Sequence, residues 1–203
     1  MTTGNTASGT FYVFNKKEQL TPIVFIHGVG LTYEIWQPQL NFFRNYSNLS
    51  YDILGHGKSS LTKRNISFDD FSEQLIELID ELKIEKIHLV GFSIGSLIAR
   101  NFAIRYGDRL QSLILLGSIY KRSEQQQKIV NERFDEAKKE LKLSRQALKR
   151  WFTDKYLENN PETYEKISSI LSANNMANFL KVYELFVRHK NDEDFEKIYC
   201  KTL

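Results

Sequence analysis

LVGFSIGS, residues 89–96, sets a serine between two glycines at the exit of an apolar run, in the pattern Gly-x-Ser-x-Gly. A nucleophilic serine must be exposed, rigidly held and close to hydrogen-bond donors that stabilise a tetrahedral oxyanion. A tight turn from strand to helix supplies all three. Such a turn forces Ser93 into a strained backbone conformation, and side chains two residues to either side would strike neighbouring elements, which accounts for Gly91 and Gly95. The main-chain N–H of Ile94 opens the following helix and points beside the Ser93 hydroxyl, with the positive end of the helix dipole behind it. Chance explains the pattern poorly, since a chain of this composition yields about 0.04 such matches.

Working outward, PIVFIHG (22–28), SYDILGHG (50–57), KIHLVG (86–91) and SLILLG (112–117) read as strands. Each is nearly continuous in Ile, Leu or Val, as parallel strands covered on both faces require. FYVF (11–14) reads as an antiparallel edge strand. Ser67 and Asp70 form a capping-box-like helix start, followed by Phe68, Phe71, Leu75, Leu78, Ile79 and Leu82 at helical spacing. A second helix is predicted from the serine motif to about Tyr106, ended by Gly107. This alternation predicts an α/β chain with a mostly parallel, doubly wound sheet. After Tyr120 the pattern is helical only, with breaks near Ser144, at Pro161 and around Asn174–Asn175.

Residues HGVG (27–30) leave another strand, and a glycine-bearing turn there brings the Val29 N–H toward Ser93 as a second oxyanion donor. His27 and Gly28 then support that loop, His27 by bonding its backbone. GHGKS (55–59) looks superficially like a phosphate-binding loop, but Asp52 stands where that motif needs glycine. The four histidines, His27, His56, His88 and His189, lack metal-ligand spacing. No metal or cofactor is expected.

The bulk numbers exclude other classes. A formal charge of +3 over 203 residues is too weak for a dedicated nucleic-acid binder. No apolar run reaches the length of a membrane span, and the polar amino terminus lacks a signal-peptide layout, so a soluble cytoplasmic protein is expected. Cys200 stands alone, which rules out an internal disulfide or a cysteine cluster.

Taken in order, HGVG with LTYEIWQPQL (31–40), then YDILGHGKS (51–59), then LVGFSIGSLIARNFAIRYGDRLQSLILLGS (89–118), resembles the α/β-hydrolase superfamily, in particular its esterase and lactonase branch. The resemblance covers about residues 9–120. It implies an eight-stranded, mostly parallel sheet, Ser93 as nucleophile, Val29 and Ile94 as oxyanion donors, and a helical cap after the sixth strand. The domain reading is a hydrolase core over 1–120, a cap over 121–195 and the start of a returning core strand over 196–203.

In that family pattern an acid follows the seventh strand and a histidine follows the eighth. Here FEKIYCKTL (195–203) resembles the approach to the seventh strand, and neither loop is present. His56, in a strand-end loop, is the least implausible internal base; His88 is expected against a helix and His189 after a cap helix. The expectation is therefore a truncated chain, with its C-terminal strands missing and SLILLG left as a bare sheet edge. It would be a weak or inactive serine hydrolase of a small carboxylic ester or lactone, acting through an acyl-enzyme on Ser93. The alternative is a non-catalytic binding protein that keeps the pocket. Basic residues outnumber acidic ones by 11 to 6 over 121–155. Docking of an acyl carrier protein would use such a surface, although solvated cap helices explain it more simply.

Overall fold

The computed structural model describes residues 1–139, 148–149, 151–190 and 195–203. The break expected near Ser144 lies outside them. Seven strands form one sheet: β1 (Thr2–Asn5), β2 (Phe11–Asn15), β3 (Ile23–Ile26), β4 (Asn48–Tyr51), β5 (Ile87–Phe92), β6 (Leu110–Leu116) and β7 (Lys201–Thr202), in the spatial order β1-β2-β4-β3-β5-β6-β7. The β1–β2 and β2–β4 pairs are antiparallel and the other pairs parallel.

The alternation of each central strand decides what covers it. Val24 and Ile26 of β3 and Ile87 and Leu89 of β5 face α2 (Phe68–Glu81) and α3 (Ile94–Arg105), where Phe71, Leu75, Leu78, Ile79, Ile98 and Phe102 are fully buried. Phe25 and Val90 point the other way, onto Trp36 and Leu40 at α1 (Gln37–Phe42). Each such side chain contributes about 1.5–3 kcal/mol relative to remaining exposed. The start of α2 is set by Ser67, whose N–H and hydroxyl both donate to Asp70, at 2.7 and 2.8 Å.

Three expectations need correction. The strand read at 50–57 lies earlier, at Asn48–Tyr51, and gives way to a loop in which Gly55 and Gly57 take φ of +74° and +52°. FYVF is antiparallel but is no edge, because β1 pairs along its outer side from Thr2↔Phe14 to Asn5↔Phe11. The edge of β6 is not bare: β7 pairs with Ser112 and Leu113, and Leu203 exchanges 2.9 Å hydrogen bonds with Leu113 and Leu115.

Between β6 and β7 lie α4 (Glu124–Lys139), α5 (Asp154–Asn159), α6 (Glu162–Ser172) and α7 (Met176–Arg188). Pro161 precedes α6, and Asn174–Asn175 separate α6 from α7, with the Asn175 side chain accepting from the Asn178 N–H. Ile167, Ile170 and Leu171 of α6 pack on Leu31 and Phe92, over the C-terminal ends of the strands. Among the described residues no helix is long and apolar enough to cross a membrane.

Candidate active site

β5 ends at Phe92 and α3 begins at Ile94, so a single residue, Ser93, makes the whole turn. Its φ of 56° and ψ of −120° place an L-residue in a region that carries backbone strain of about 1–3 kcal/mol. The surroundings hold it there. The Ser93 N–H donates to the Leu116 carbonyl at 2.9 Å, and the Ser93 carbonyl accepts from the Ser96 N–H at 2.9 Å and the Ser96 hydroxyl at 2.6 Å. A Cβ on Gly91 would lie 2.2 Å from the Gly95 carbonyl oxygen, and one on Gly95 would lie 2.6 and 2.7 Å from the carbonyl oxygens of Ile26 and His27. Every one of these obstacles is main chain, which cannot rotate aside. The two glycines thus let α3 pass against β3 and β5, and Ser93 remains half-exposed above them.

The loop after β3 arrives beside it. A Cβ on Gly28 would stand 3.4 Å from the Ser93 Cβ and 3.3 Å from the Phe92 ring. Residues 28–31 form a turn closed by the Leu31 N–H on the Gly28 carbonyl at 3.2 Å, with Gly30 at φ +75° in the position that demands glycine. Neither the Val29 N–H nor the Ile94 N–H donates to another described residue; for Ile94 the reason is its place in the first turn of a helix. Ile94 itself is fully buried, so its N–H is directed by a packed side chain.

Three side chains that sequence reasoning missed, or placed elsewhere, set this turn. His56 is buried; its Nε2 accepts the Gly30 N–H at 2.9 Å and its Nδ1–H donates to the Leu54 carbonyl at 3.2 Å. With both ring nitrogens occupied by backbone, it is not placed to act as a base on Ser93. Asp52 accepts from the Tyr33 N–H at 2.8 Å and the Lys58 N–H at 2.9 Å, tying the loop after β4 to the one after β3. Asn174, between α6 and α7, donates to the Gly30 carbonyl at 2.8 Å and to the carbonyls of Ile170 and Leu171. No local motif announces these roles, because the partners lie 26, 19 and 144 residues away.

His27 is buried, donates through Nδ1 to the Gly28 carbonyl at 2.8 Å and accepts the Ile53 N–H on Nε2 at 3.1 Å. Burial, with the neighbouring His56 ring, brings its pKa down to about 3 against the opposing Gly28 bond; burial, against the opposing Leu54 bond, brings His56 to about 4. Both rings are neutral at pH 7, so the 4.0 Å approach of Asp52 to His27 is not an ion pair. Burial raises the Asp52 carboxyl above its usual range, opposed by its two N–H donors.

The remaining histidines serve elsewhere. His88 bonds the Ser112 hydroxyl of the adjacent strand at 2.8 Å, and the His189 ring meets the Phe68 ring edge-on at 5.2 Å. Among the described residues, neither a histidine nitrogen nor a carboxylate bonds the Ser93 hydroxyl, and no cluster of three metal-ligating side chains exists.

Residues 21–188 match the family model described as alpha/beta hydrolase fold. The chain belongs to this family. Among curated alpha/beta hydrolase-like relatives, the (E)-2-((N-methylformamido)methylene)succinate hydrolase of Acinetobacter baylyi is 30% identical over 168 residues, covering 82% of this chain and 63% of the relative. The 3-oxoadipate enol-lactonase 2 of the same organism is 28% identical over 151 residues, covering 74% and 57%. The chain therefore spans about six tenths of the length of these relatives. In fold, the crystal structure of the enol-lactonase from Burkholderia xenovorans LB400 aligns with a TM-score of 0.85 over 99% of this chain and 79% of that one, at 21% identity.

Proposed function

We propose that this alpha/beta hydrolase chain carries the acyl-accepting half of a serine hydrolase acting on a small carboxylic ester or lactone. The observation that carries the reading is Ser93, held at φ 56° by two glycines that cannot bear a Cβ, with the loop carrying Val29 packed against it and the Val29 and Ile94 N–H groups bonded to no other described residue. In the proposed step the Ser93 oxygen bonds the substrate carbonyl carbon, the hydroxyl proton passes to a base, and the Val29 and Ile94 N–H groups receive the developing oxyanion. The ester C–O bond then breaks, the leaving oxygen taking that proton back from the base to become an alcohol or enol, which departs from an ester and stays tethered to the acyl group of a lactone, and water cleaves the acyl-enzyme to the acid. The enol-lactonase and succinate-derivative hydrolase among the relatives support a small acyl substrate.

The strained turn at Ser93 supports this reading, but a base on Ser93 is lacking among the described residues, and a serine hydroxyl without one retains only residual catalysis. That same observation favours the second reading, a binding protein with an idle pocket. A fluorophosphonate probe followed by peptide mass mapping separates the two, applied to this chain and to the longest product of its gene. Labelling at Ser93 that Ser93→Ala abolishes, with turnover of an activated aryl ester, supports the hydrolase. Absence of both from every form of the protein refutes it.

A further inference from the structure

Past β6 the chain turns through Gly117 and Ser118 toward α4, and a cavity of about 410 Å³ opens between this segment, α4 and α7. Three cations, Lys121, Arg122 and Arg133, line it, and no carboxylate among the described residues does. Several other basic side chains are paired with acids: Lys63 with Asp70, Arg105 with Asp69, Arg109 with Asp80 and Arg188 with Glu184. Arg122 instead donates to the carbonyls of Phe186 and Val187 at 2.9 and 3.0 Å and to the Gln127 side chain at 3.3 Å, all neutral groups at the end of α7 and on α4. Its guanidinium lies 4.8 Å over the Phe186 ring. Burial lowers its pKa from the usual arginine value, opposed by the Tyr183 phenol, and no described carboxylate pairs with it. Lys121 and Arg133 likewise make no ion pair with a described residue. Three like charges around one cavity repel one another, and an anion placed between them relieves that repulsion.

The position gives the anion a role. The carbonyl of Leu116 accepts the Ser93 N–H at 2.9 Å, and Ser118, two residues further on, lines the cavity. Two residues of extended chain span about 7 Å, so the cavity begins within the length of a small molecule whose carbonyl rests on Ser93. Ile119, Val130 and Phe186 supply apolar lining for the carbons between its two ends.

We propose that this cavity binds the free carboxylate of a substrate whose ester or lactone carbonyl lies at Ser93, with Lys121 and Arg133 as its partners and Arg122 fixed behind them by the end of α7. This rests on the hydrolase reading for the substrate's other end, but the anion site is testable without it. Adipate, a dianion with no scissile bond, is titrated into the 203-residue chain at low ionic strength, with uncharged adipamide as control. Adipate is expected to bind saturably and adipamide not. Lys121→Gln and Arg133→Gln, both at exposed positions, are each expected to weaken adipate about tenfold, the effect of losing one charge-assisted hydrogen bond. Failure of adipate to saturate the wild-type chain, or equal binding by both variants, overturns the proposal. In the second arm, aryl esters with and without a terminal carboxylate are compared. Loss of preference for the charged ester in both variants, with the neutral ester unaffected, supports the proposal. Adipate binding that depends on Lys121 and Arg133 in a protein that turns over no ester leaves the anion site standing and removes the hydrolase reading. Ester turnover with no dependence on either cation does the reverse.

Discussion

Gly95→Ala tests whether the corner at Ser93 is clamped by main chain. The new methyl would stand 2.6 Å from the Ile26 oxygen and 2.7 Å from the His27 oxygen. Ordinary carbon–oxygen contacts begin near 3.3 Å, so the first turn of α3 must retreat by about 0.7 Å or β3 must bend. Overpacking of this kind costs about 1–3 kcal/mol. The helix preference of alanine over glycine offsets at most about 1 kcal/mol, and less at the second helical residue, giving a net loss of about 2 kcal/mol. Gly107→Ala is the matched control, since nothing stands within 4 Å of its Cβ position and no positive φ is required. Removing a glycine at such a site is neutral or stabilises by about 0.4–1 kcal/mol through the unfolded chain. In urea unfolding monitored by circular dichroism, with a slope of about 2 kcal/mol/M, the two variants should differ in midpoint by about 1–1.5 M. Equal midpoints, or the larger loss at Gly107, would refute the clamp.

The same geometry sets other outcomes. Ser93→Gly should stabilise the fold by about 1 kcal/mol, through release of backbone strain partly offset by the entropy of glycine, while abolishing any fluorophosphonate label; a lower melting temperature would count against strain at this residue. His27 and His56 bind protons more weakly folded than unfolded, so stability is complete above the unfolded histidine value of about 6.5 and falls below it. The fall should reach up to about 1.4 kcal/mol per pH unit per histidine until pH nears 4, where His56 protonates within the fold; Asp52, raised by burial, opposes it at the acid end. His56→Gln should flatten the slope of urea midpoint against pH between 6.5 and 5, and an unchanged slope would show that His56 does not titrate this way. Asn174→Ala should cost about 1–2 kcal/mol and speed hydrogen exchange at the Gly30 amide; exchange at the wild-type rate would mean that Asn174 does not steady the turn.

Hydrophobic continuity and glycine placement made the central elements readable in the sequence. β3, β5 and β6 are short apolar runs, and α2 carries its buried stripe at helical spacing, so those elements were legible to within two residues at most boundaries. β4 was misplaced because NLSY is half polar, yet Asn48 and Ser50 are buried by their neighbours, while the apolar-looking ILGHG after it is a loop built on positive-φ glycines. β1, TTGN, offers no hydrophobic signal at all and exists by pairing with β2. At the site, Gly91, Ser93 and Gly95 announce themselves because their constraint is local. His56, Asp52 and Asn174 do not, because each gains its role only when a distant backbone group is brought to it.

Gly30 is gripped on one side through its N–H by His56 and on the other through its carbonyl by Asn174. One hand belongs to the platform of the sheet and the other to the roof. If that roof lifts to admit a guest, either the upper grip lets go or the turn rides up with it, and in both cases the amide of Val29 is re-aimed. If Ser93 and Val29 act as proposed, the Asn174 carboxamide would link the opening of that roof to the aim of the Val29 amide.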